Sequence, residues 1–196
     1  FNDIADTDGM LVALDRMPSV VEVSEERDAV RVSGGVRYGD LAPQLLAEGL
    51  ALANLASLPH ISIAGAVATG THGSGDAIGS LASAVRGLTI VTPAGETRTL
   101  RRGDADFAGA VVSLGALGAV IDVTLDVEPT YEIAQHVFEH PDWEAILRDF
   151  DDVTGGGTRV STICMPPLKR QNRLPGRKGA TRLTARSALN IELITT

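Results

Sequence analysis

The chain has 196 residues, 44% hydrophobic and 21% charged, with a formal net charge of −8. That is enough chain for one sizeable core, or for one domain and part of another, and the balance is that of a globular protein. No run of 18 apolar residues occurs, so no membrane span or membrane partner is expected, and the lone Cys164 excludes an internal disulfide and fits a reducing, cytoplasmic setting.

The charge is uneven. Residues 1–168 hold 24 acidic and 10 basic side chains, whereas residues 169–196 hold seven basic ones and a single acid, Glu192. An acidic body repels a polyphosphate backbone, so nucleic acid is not the expected partner. The first residue is Phe1, and a native start upstream of it is expected.

In chain order, "MLVALD" (10–15) predicts a short strand. "SVVEVSEERDAVRVSGGV" (19–36) alternates on both sides of "EERDA" and predicts a hairpin of two half-buried strands. Leu41, Leu45, Leu46 and Leu50 fall on one face of a helix over 37–50, with Gly49 marking its end. A short helical piece at 80–86 leads into the strand "LTIVT", the turn "PAG" and the strand "ETRTL", a second hairpin. "DADFAGAVVSLGAL" predicts a helix with Asp104 or Asp106 near its positive end. "GAVIDVTLDVEP" (118–129) is a strand stopped by Pro129. "HPDWEAILRDFDDV" (140–153) predicts a helix entered through Pro141, with Trp143, Ile146, Leu147 and Phe150 on a core-facing side, and "TRVSTICM" reads as a strand. From "PPLKRQNRLPGRKG" onward no period is visible until the last few positions, and a poorly packed basic tail is expected. Hairpins interspersed with helices, rather than regular βαβ units, predict an α+β fold with antiparallel sheets.

"ASLPHISIAGAVATGTHGSG" (56–75) is built mostly from Gly, Ala, Ser and Thr, with no Lys or Glu. Gly65, Gly70, Gly73 and Gly75 let a ligand approach the backbone, and consecutive N–H groups in such a loop can face an anion. Ser57, Ser62, Thr69, Thr71 and Ser74 add neutral donors. A Walker loop is excluded because no Gly-Lys-Ser/Thr is present, and the order G-x-x-G-x-G is a poor Rossmann match. On spacing alone, a loop that lets two elements pack closely is the better reading. His72 then reads as a loop histidine and His60, beside Pro59, as a turn residue. His136 and His140 show no metal-ligand spacing, so no metal is expected, and Ser57 with His60 lacks the elbow and acid of a hydrolase.

The same run closely resembles the second FAD-contacting segment of the vanillyl-alcohol oxidase/p-cresol methylhydroxylase flavoprotein family, and within it the bacterial alditol (xylitol) oxidases, relatives of the aldonolactone oxidases. "FNDIADTDG", "VRVSGGVRYGDLAPQLLAEGLAL", "GSLASAVRGLTIVTPAGE" and "SLGALGAVIDVTL" resemble that group in the same order, covering about residues 1–160. The resemblance implies an FAD-binding domain over 1–130, the start of a substrate domain over 131–165, and an atypical basic tail over 166–196. It implies that Ser57 sits at the reactive face of the flavin as the catalytic residue, and that Ala56 helps control oxygen access. It implies cofactor contacts from Ser62, Gly65, Thr69, Gly70, Thr71 and His72, and from Gly118 and Ile121 near the adenine half.

The implied reaction takes a small polyol to an aldose with hydrogen peroxide; a non-catalytic flavin-domain remnant and an aldonolactone oxidase stay open beside it. The redox chemistry would be the cofactor's, and the protein's part would be to position it. A monomer is expected. The family's covalently bonded His and first pyrophosphate loop are expected upstream of Phe1, and its substrate half beyond residue 160, so the chain as given is expected to bind no flavin covalently and to turn over little or no polyol.

Overall fold

A computed structural model describes residues 6–74, 78–135 and 142–155, together with the strand 181–184. Its centre is a five-stranded, wholly antiparallel sheet. The strands are β1 (Val21–Val23), β2 (Ala29–Ser33), β4 (Val85–Val91), β5 (Thr97–Arg101) and β6 (Ala119–Asp126), in the order β1-β2-β6-β4-β5. The two predicted hairpins are β1–β2 and β4–β5, and β6 is inserted between them. Two short ribbons stand apart: β3 (Leu50–Ala51) pairs with β7 (Glu128–Pro129), and β8 (Glu132–Gln135) with β9 (Thr181–Thr184).

Alternation along the strands sends Val30, Val32, Leu88, Ile90, Val123 and Leu125 into one core. Onto that face pack α1 (Tyr38–Ala47) through Tyr38, Leu41 and Leu45, and α2 (Ile63–Ala68) through Ile63, Ala64, Ala66 and Val67. The opposite face is polar. Arg31 of β2 bridges Glu22 of β1 at 2.9 Å and Asp122 of β6 at 3.1 Å. At one end of the sheet, Arg86 pairs with Asp28 and Asp126, each at 2.8 Å, joining β4, the turn before β2, and β6.

Several elements depart from the sequence expectation. Residues 10–15 form no strand; Met10, Leu11 and Val12 are largely exposed, and the segment runs over the backbone of Gly35 instead of pairing. The helix expected over 104–117 is only α3 (Phe107–Val111), because Leu114 and Gly115 adopt φ of 52° and 78° and turn the chain away. As expected, an acid stands at its positive end: Asp106 occupies the N-cap position, though without a side-chain hydrogen bond to the helix, while the Asp104 carboxylate accepts the Arg101 N–H at 2.7 Å.

The helix expected over 140–153 is two short ones, α4 (Trp143–Arg148) and α5 (Phe150–Gly155), broken at Asp149. Asp142 caps α4 by accepting from the Glu144 N–H at 3.0 Å, and Pro141 lies outside the described residues. Trp143, Leu147 and Phe150 are exposed, so this face is not part of the core formed by the described residues. In the basic stretch, Thr181–Thr184 does form a strand: Thr-Arg-Leu-Thr is compatible with an extended chain, and it finds β8 as an antiparallel partner. The predicted strand at 158–165, His136 and His140 lie outside the described residues. Among the described residues, no helix is long and apolar enough to cross a membrane.

Candidate cofactor site

The run 56–75 is held at both ends and folded in the middle. Before it, the Tyr131 hydroxyl donates to the Leu52 carbonyl at 3.0 Å, and Asn54 Nδ2 donates to the Gly79 carbonyl at 3.0 Å from beyond its far end. Within it, residues 59–63 run antiparallel to 36–39. Gly39 N–H donates to Pro59 O at 2.8 Å, Tyr38 N–H to Ile61 O at 3.2 Å, and Ile63 N–H to Val36 O at 2.9 Å. This pairing sets His60 and Ser62 beside Arg37. Tyr38, next in the chain, turns into the core, where burial pushes its phenol well above its ordinary value.

The expected loop therefore contains a helix, α2. The alanines at 64, 66 and 68 favour it, and Ser62 caps it by accepting the Gly65 N–H at 3.3 Å. Its last turn is closed by side chains: the Thr69 hydroxyl donates to Gly65 O at 3.0 Å and lies 3.2 Å from the Thr71 hydroxyl. Leu81 N–H then donates to Thr71 O at 2.9 Å, which ties the end of the run to the 3₁₀ turn at Leu81–Ala84.

Along α2 lies a groove of about 470 Å³. One wall is Ser62, Ala64, Gly65 and Ala68; a second is the segment Val12–Asp15; the floor is Gly34 and Gly35 after β2, with Gly115, Gly118 and Val120 before and in β6. Close backbone approach makes this floor. A Cβ on Gly34 or on Gly35 would lie less than 3.0 Å from the carbonyl oxygen of Val120 or Leu14 respectively. Gly118 has φ of 131°, and a Cβ there would collide with the Val91 carbonyl. The ionisable side chains of the lining are Arg37, His60 and Asp15.

Of the ten residues the resemblance singled out, Ser62, Gly65 and Gly118 line this groove. Ala56 is half-buried against the core and Ser57 is exposed; neither lines it, nor do Thr69, Gly70, Thr71, His72 or Ile121. Ile121 sits at the groove's edge, in a bulge that leaves it without a partner on β4, and its carbonyl accepts the Gly34 N–H at 2.7 Å. Gly70 has φ of 64° and packs near Val112, and His72 Nδ1 lies 3.2 Å from the Gly73 carbonyl. Gly34, Gly35 and Arg37 lie in a segment that carries the resemblance without having been singled out, and the 12–15 segment reaches the groove by crossing the backbone of Gly35.

The residues present suit FAD. The volume falls within the roughly 300–1,000 Å³ of small-molecule sites. The walls are largely backbone and small residues, which a flat ring or a diphosphate can approach closely. In the loop that leads into Gly115 and Gly118, the buried Ser113 hydroxyl has no hydrogen-bond partner among the described residues.

Comparison with known proteins agrees with this. Residues 1–101 match the family model described as "FAD binding domain". The chain is 51% identical over 165 residues to an alditol oxidase from Streptomyces sp. (strain IKD472 / FERM P-14339), covering 82% of this chain and 39% of that protein. It is 39% identical over 136 residues to L-gulono-1,4-lactone dehydrogenase of Mycobacterium tuberculosis, covering 69% of this chain and 32% of that one. It is 36% identical over 139 residues to the L-gulonolactone oxidase of Mus musculus, again with 70% and 32% covered. The chain thus spans well under half the length of these relatives. A cholesterol oxidase from Brevibacterium sterolicum shares the fold, with a TM-score of 0.57 at 23% identity over 64% of this chain and 26% of that one. The antiparallel sheet with its flanking helices and the matched residues together place the chain in the p-cresol methylhydroxylase-type family of FAD-binding oxidoreductases.

Proposed function

We propose that this chain is the cofactor-holding part of an oxidase of sugar alcohols. The observation that carries the reading is the 51% identity to the alditol oxidase, against 39% and 36% to the lactone enzymes. The overall change removes two hydrogens from a polyol carbinol, giving an aldose, and passes them to oxygen, giving hydrogen peroxide. When bound, FAD supplies the hydride acceptor. Ser62, Gly65 and Gly118 hold the cofactor through the groove, and Thr69, Gly70, Thr71, His72 and Ile121 support it around the rim. Ser57, exposed on the turn before α2, meets the reacting face and steadies the carbinol oxygen by a neutral hydrogen bond. Ala56 limits the space through which oxygen arrives. Residues 1–130 act as the cofactor unit and 131–165 open the substrate unit; in support, β8 leaves the five-stranded sheet and pairs with β9.

An aldonolactone substrate is the second reading, favoured by the 39% identity over 136 residues to the lactone dehydrogenase. The test is a peroxide assay of the complete protein with xylitol, sorbitol and L-gulono-1,4-lactone. Higher kcat/KM on the polyols supports the first reading, and higher kcat/KM on the lactone overturns it. Ser57→Ala should lower kcat by about a hundredfold, the scale of one lost hydrogen bond in a transition state, and shift stability by less than about 0.5 kcal/mol.

A further inference from the structure

We propose that Arg37 binds the diphosphate of FAD and so makes the groove prefer the dinucleotide to riboflavin. The inference rests on FAD binding by this family and on the groove, not on which alcohol or lactone is oxidised.

Three observations on this chain converge. First, Arg37 is the one arginine or lysine among the residues lining the groove; the other ionisable lining residues are His60 and Asp15. Second, its guanidinium has no ion pair or hydrogen bond among the described residues. Most other arginines of the sheet body are spoken for: Arg27 by Glu48, Arg31 by Glu22 and Asp122, Arg86 by Asp28 and Asp126, Arg102 by Asp126. Third, Arg37 is fixed by its backbone, not by its side chain. It is the N-cap of α1, and the bridge to Ser62 holds its main chain against the wall of the groove. A guanidinium anchored at its Cα and unengaged at its tip matches a diphosphate, whose oxygens accept two parallel N–H bonds from a planar fork. Asp15 sharpens the point: in a groove that also holds a carboxylate, a dianionic ligand needs a cation close by. The N–H groups of Gly35 and Gly115 also have no hydrogen-bond partner among the described residues, so neutral donors are at hand in the same lining.

The test titrates the 196-residue chain with FAD and with riboflavin, which shares the ring and lacks the diphosphate, following flavin fluorescence. The wild type, Arg37→Met and, as a control for net charge, Arg98→Met on the exposed strand β5 are compared, with circular-dichroism melting to confirm that all three fold. Arg37→Met should weaken FAD about tenfold or more, the scale of a charge-assisted hydrogen bond, and leave riboflavin within about twofold. It should also flatten the dependence of FAD affinity on salt, whereas Arg98→Met should change none of these. The proposal is overturned by equal losses for FAD and riboflavin, by an unchanged FAD affinity in Arg37→Met, by the same loss in Arg98→Met, or by a wild-type chain that binds FAD no better than riboflavin.

Discussion

The inner face of the sheet and the wall of the groove lie within a few residues of each other, yet they are made in opposite ways. On the inner face, space is filled by side chains: Val30, Val32, Val123 and Leu125 interlock with Leu41, Leu45 and Ile63, all close to fully buried. At the groove, side chains are withheld, and Gly34, Gly35, Gly65, Gly115 and Gly118 let main chain form the surface. A core of the first kind loses stability roughly in proportion to the atoms removed from it. A wall of the second kind is harmed by atoms added to it. The strand β2 joins both, since Val32 belongs to the core and Gly34, two residues on, to the wall.

The contrast breaks most severely at Gly118. Alanine there must keep φ near 131° with its Cβ against the Val91 carbonyl, so Gly118→Ala should lose roughly 3–5 kcal/mol in urea unfolding. Leu45→Ala should cost about 3 kcal/mol by leaving a cavity between α1 and the sheet, and should leave the groove's FAD affinity unchanged once the protein is folded. Gly115→Ala should do the reverse. Its φ of 78° strains alanine by only about 1 kcal/mol, and nothing lies within 4 Å of the new methyl, but the group is added to a groove-lining residue and should weaken FAD in the same titration. The smallest effect belongs to the sheet's end. The Arg86 hydrogen bond, then that from Ser24, holds the Asp28 carboxyl below its ordinary value. A carboxyl depressed in the folded state contributes stability above its unfolded pKa, near 4, and that contribution fades as pH falls through the folded value. Unfolding curves of Asp28→Asn should therefore fall below the wild type at pH 7 and converge with it near pH 2.

Local pattern carried much of this molecule. Alternation in "AVRVS" and "LTIVT" and the four-residue spacing of Leu41 and Leu45 predicted β2, β4 and α1, because each burial pattern is set by the residue's own neighbours in sequence. What escaped depends on distant partners. "MLVALD" has strand composition, but residues 12–15 lie along the groove. The glycines of 56–75 concealed α2, whose four buried residues and Ser62 cap outweigh one internal Gly. The site was legible to the same degree: Ser62, Gly65 and Gly118 were singled out from their motifs, whereas Arg37 and His60, within quoted segments but read as ordinary residues, come together at the groove because residues 36–39 pair with 59–63.

The central claim is that FAD occupies the groove between α2, the 12–15 segment and the turn after β2. Hydrogen exchange of the chain with and without saturating FAD tests it segment by segment. The account predicts slower exchange at 12–15, 34–37, 60–68 and 113–120, with no change in the edge strand Thr97–Arg101. Protection confined to that edge strand, or no change at any of the four groove segments when FAD is bound, would contradict it.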